Sequence, residues 1–80
     1  MRYEKSHHVV EADTQKIVGH IEKHFSGGVR YVAWRVVSGG LDRLLEQSTS
    51  LRDMRGRLQA RGLDARRLMS TLDEHIRIVP

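Results

Sequence analysis

The residues best equipped for chemistry are six arginines gathered between Leu51 and Arg67. Arg52, Arg55, Arg57, Arg61, Arg66 and Arg67 lie there against only Asp53 and Asp64. Their excess equals the formal net charge of the whole chain, +4, because the remaining acidic and basic residues cancel. Charge concentrated in one segment makes a local field, whereas scattered charge mostly confers solubility. A guanidinium also holds a carboxylate or phosphate through paired N–H donors. The six arginines are therefore the candidate partner-binding residues. Eleven of the fourteen basic residues are Arg, a bias that a GC-rich coding genome would also produce.

Read as a helix, this segment sets Leu51, Met54 and Leu58 in a stripe. Arg52 and Arg55 flank one side of it, and Arg57 and Arg61 the other. Such a surface suits an acidic protein partner, or the backbone of DNA or RNA. If all six arginines met phosphates, the log-log salt slope would be roughly −5. Aromatic platforms usual in nucleic-acid domains do not accompany the segment. Ordinary solvated rims of packed helices look similar, since long side chains cover apolar seams there. A helix-turn-helix reading rests on the Gly62 turn and an outward Ala65, Arg66, Arg67, Ser70 and Thr71.

Histidines form the second group. His7 and His8 are adjacent, and His20 and His24 are four apart. On a helix that spacing places both rings on one face, a geometry metals exploit. Glu22 sits one position too late for the zinc-protease motif, and the chain has no Cys. No metal and no cofactor are expected. The glycine pairs Gly27-Gly28 and Gly39-Gly40 match neither a P-loop nor a dinucleotide fingerprint. No catalytic residue is assigned. A small basic ribonuclease using His20 or His24 is the competing enzymatic reading, since it needs only a general base and a phosphate clamp.

The elements that must position these groups follow from periodicity. Arg2–Val10 reads as a weak strand. Ala12–Phe25 reads as a helix capped by Asp13, with Ile17, Val18, Ile21 and Phe25 on one face. Val29–Ser38, rich in β-branched and aromatic residues between glycines, reads as a strand. Leu41–Arg61 reads as helical with a break near Thr49, where Ser50 and Asp53 resemble a new cap. Asp64 then caps a final helix carrying Leu68, Met69 and Leu72, and His75–Val79 reads as a last strand. The expected fold is α+β, a β-α-β-α-α-β order with a small mixed sheet covered by helices.

Eighty residues make one domain, 1–80, with a small core. Absence of Cys fits a reducing compartment. Met1 to Lys5 is polar with no apolar run behind it, so neither signal peptide nor membrane span is expected, and the chain reads as cytoplasmic. The function expected is a small non-enzymatic regulatory or inhibitory module. It binds an acidic protein surface, or alternatively nucleic acid, through an Arg-flanked helical hairpin, Leu51 to Leu72. A homodimer is a further expectation, because so small a core is marginal alone.

Overall fold

A computed structural model describes residues 3–37 and 42–68. Five strands and one helix follow one another as β1 (Tyr3–Glu11), β2 (Ile17–His24), β3 (Arg30–Arg35), β4 (Arg43–Ser48), α1 (Leu51–Gln59) and β5 (Leu63–Arg67). The strands form one sheet in the order β4-β3-β2-β1-β5. Every neighbouring pair is antiparallel. β4 and β5 therefore run in the same direction at opposite edges. α1 carries the chain from one edge to the other across one face of the sheet.

That face holds the main core. Val9, Ile21 and Ala33 from the central strands meet Met54 and Leu58 from α1 and Leu63 from β5. Ile21, Met54 and Leu58 are fully enclosed. Each such side chain contributes about 1.5–3 kcal/mol of burial free energy. Met54 and Leu58 are four apart, so they lie on the same side of α1 and leave the arginines facing outward.

Local chemistry explains the ends of α1. Ser50 is extended, and its side chain accepts from the backbone N–H of Asp53, closing the first turn. Arg61 and Gly62 donate back to Leu58 and Gln59. Gly62 has φ +76°, which lets the chain reverse into β5 without a Cβ penalty.

Several expectations need correction. The order is not β-α-β-α-α-β, and the sheet is not covered by several helices. Ala12–Phe25 is a turn followed by β2, not a helix. Glu11 donates to the carbonyl of Lys16 at 2.9 Å, and Gln15 takes φ 62°, which closes a hairpin where a helix was expected to begin. Pairing on both sides, with β1 and β3, then overrides the helical spacing of Ile17, Val18 and Ile21. Within the helix expected over Leu41–Arg61, Arg43–Ser48 is edge strand β4, where Leu44 is 44% exposed rather than part of an apolar stripe. The break near Thr49 and the Ser50 cap are present as expected. Residues 63–67 form β5, not a capped helix, because the open edge of β1 offers backbone partners. The final strand expected at His75–Val79 lies outside the described residues. Strands at Arg2–Val10 and Val29–Ser38 correspond to β1 and β3.

Candidate functional site

Alternation along the strands divides the polar residues between two faces. On the α1 side, cross-strand rows bring together Arg67, His7, Ile21, Ala33 and Glu46. On the opposite side, Arg66, His8, His20, Trp34 and Leu44 form one row. The six arginines expected to act together therefore do not share one surface. Arg66 and Arg67 are successive residues of a strand and point to opposite faces.

Carboxylates of the chain itself engage half of the group. Arg57 meets Asp53 at 2.7 Å and Glu46 at 3.6 Å. Arg61 meets Glu46 at 2.7 Å and donates to the carbonyl of Leu45 at 3.1 Å. Arg55 approaches Asp64 at 3.5 Å. The helical hairpin from Leu51 to Leu72 is replaced by α1 and β5, with residues beyond 68 outside the described part. The same finding removes the helix-turn-helix reading, because Ala65, Arg66 and Arg67 lie on a strand.

One subset stays together. Arg55 from α1 and Arg67 from β5 both act on His7 of β1. Burial lowers the affinity of His7 for a proton, and the charges of Arg67 and Arg55 lower it further. Arg52 and Arg55 also line a shallow cleft of about 410 Å³ on the outer side of α1, with Leu51, Gly56 and Gln59. Nothing among the described residues lies over Gly56. Arg52 has no ion pair among the described residues.

Sequence spacing alone did not reveal the second group. His20, Glu22 and His24 alternate along β2 and project from the face away from α1. Glu22 Oε2 accepts from His20 Nε2 at 3.0 Å. Its Oε1 accepts from His24 Nε2 at 3.0 Å and from Trp34 Nε1 at 3.1 Å. Burial alone would push the Glu22 carboxyl up, but the three hydrogen bonds outweigh it and hold the group below the ordinary carboxylate range. An ionised Glu22 requires an N–H at Nε2 of both imidazoles, so both rings are oriented by it. Tyr3 stacks on His24 with ring centroids 5.1 Å apart. A period-two reading of His20-Ile21-Glu22-Lys23-His24 would have placed these three side chains together.

Among the described residues no group of three or more His, Cys, Asp or Glu side chains is arranged to hold a metal ion. No helix among them is long and apolar enough to cross a membrane.

The class defined by these observations is an antiparallel five-stranded sheet with one helix across one face and polar clusters on both sides. Comparison with protein-family models, curated proteins and solved structures finds no match.

Proposed function

We propose that this protein is a small regulatory or inhibitory module that binds a protein partner with an acidic surface. The contact surface is the outer side of α1 together with the adjoining end of β5. Arg52, Arg55 and Arg67 supply the charge there. Arg57 and Arg61 serve the fold instead, and Arg66 belongs to the other face.

The cleft along α1 carries this reading. Arg52 and Arg55 border it, while Leu51 and the open Gly56 supply apolar contact and close approach. An acidic side chain entering between two guanidiniums gains charge-assisted hydrogen bonds, and the bare backbone side of Gly56 admits a neighbouring element. Nucleic acid is the weaker reading. No aromatic platform of the kind nucleic-acid surfaces use lines the α1 cleft among the described residues.

The test is affinity purification from the native host, with nuclease added to half the sample and an Arg52→Glu/Arg55→Glu variant run beside the unmodified chain. The expected result is a protein captured with or without nuclease and lost by the variant. Capture that survives charge reversal, or that nuclease abolishes, overturns the proposal.

A further inference from the structure

We infer that the sheet face turned away from α1 carries a second site, a cleft that binds the phosphate group of a small organic phosphate. The cleft encloses about 550 Å³ where the starts of β2 and the end of β3 meet the middle of β1. Lys5, Lys16, Ile17, His20, Arg35 and Val36 contribute to its lining. This goes beyond partner binding by α1 and uses none of the residues assigned to it.

Charge is the first observation. Three basic side chains, from β1, the β1–β2 turn and β3, border one concavity, and no carboxylate is among its described lining residues. None of the three makes an ion pair with another described residue. Like charges gathered at one concavity repel one another, and with the nearby Glu22 carboxylate already engaged by His20, His24 and Trp34, an anion between the cations removes that cost. Lys16 is well anchored for such a role. Its carbonyl accepts from Glu11, and its N–H donates to Thr14 Oγ1 at 3.2 Å.

His20 is the second observation. Its Nε2 is committed to Glu22, which leaves Nδ1 as the nitrogen with no partner among the described residues. Nδ1 is thus the ring nitrogen left to share a hydrogen bond with the phosphate group. Glu22 keeps the ring from turning, so this contact is held in place before the ligand arrives.

The apolar part of the lining selects an ester over the bare ion. Ile17 is 41% exposed and Val36 57% exposed, and both border the cleft. They offer a wall to an organic substituent that inorganic phosphate lacks.

The experiment is an amide-resonance NMR titration of the full chain at constant ionic strength. Probes are adenosine 5′-monophosphate, inorganic phosphate and adenosine. The monophosphate should move the resonances of residues 16–20 and 35–36 and leave those of Arg52 and Arg61 in place. Inorganic phosphate should displace it from the same residues, and adenosine should bind at least about ten-fold more weakly, equivalent to ~1.4 kcal/mol. Lys16→Gln and His20→Asn should each weaken the monophosphate by about ten-fold. Lys16 is exposed, so its variant keeps the test independent of folding. Equal binding of adenosine, parallel movement at Arg52, or undiminished binding by Lys16→Gln overturns the inference. Arg52→Glu should leave monophosphate binding intact, which separates this site from the partner surface on α1.

Discussion

Arg61, just past the end of α1, donates its Nε to Glu46 on β4 at 2.7 Å, tying the far end of the helix to the edge strand that precedes it. The same guanidinium donates to the carbonyl of Leu45 at 3.1 Å. A side chain with the composition of a docking residue is thus part of the clasp between helix and sheet. Arg61→Ala should lower unfolding free energy by about 1 kcal/mol in urea denaturation and leave partner affinity unchanged. Arg52→Glu should do the reverse. Equal loss of partner binding in both variants would show that Arg61 belongs to the docking surface after all.

Two glycines should respond in opposite directions to a methyl group. A Cβ at Gly19 would overlap the carbonyl oxygen of Trp34 on β3, and backbone cannot rotate away as a side chain can. Gly19→Ala should cost about 3 kcal/mol. Gly56 is in α1 with open space around it. Gly56→Ala should stabilise the fold by about 0.5–1 kcal/mol, because Ala loses less backbone freedom in a helix. Thermal unfolding of the two variants checks both signs.

Ser50 stands where an edge strand ends and a helix begins. Its hydroxyl accepts from the N–H of Asp53 at 3.2 Å. Ser50→Ala should lower stability by about 1 kcal/mol, and Ser50→Asp should restore most of it. Circular dichroism followed through denaturation reads the difference, and an unchanged midpoint for the Ala variant would remove the cap from the account.

Acid should destabilise the protein in two steps. His7 is held below its ordinary value of 6.5 by burial first and by Arg67 and Arg55 next. The unfolded chain binds the proton more readily, so this contribution is full above pH 6.5 and declines as pH falls through the lowered value. Glu22 is held below its ordinary value of 4.5, since its hydrogen bonds outweigh the upward push of burial. Its contribution is full above pH 4.5 and is lost on further acidification. Unfolding free energy measured against pH should fall in both windows. His7→Gln should flatten the upper one alone. A flat profile between pH 7 and 5 in the unmodified chain would contradict the His7 assignment.

Some of this was legible from residue order. The Val29–Ser38 segment announced β3 through its branched and aromatic side chains, and Ser50 with Asp53 announced the start of α1. Other segments misled for a physical reason. Ile17, Val18 and Ile21 satisfy a helical stripe, yet Ile21 also satisfies the core side of a strand whose other side carries Ile17, His20, Glu22 and His24. Short apolar runs fit both periods, and only the partners on either side decide between them. Leu63 to Arg67 contains no β-branched residue, so propensity offered no strand there. The unpaired edge of β1 supplied the hydrogen bonds that made one.

The amino-acid order determined the net charge of the chain, that an excess equal to it lies between Leu51 and Arg67, and where α1 begins. Those are local properties, set by side-chain type and by turns of a few residues. Tertiary structure decided which charges are free. Strand pairing sent Arg66 and Arg67 to opposite faces, brought Glu46 within reach of Arg57 and Arg61, and gathered two imidazoles and an indole on Glu22. Non-local hydrogen bonding between strands fixes which side of the sheet each residue occupies, and a shift of one position would exchange every one of those neighbours.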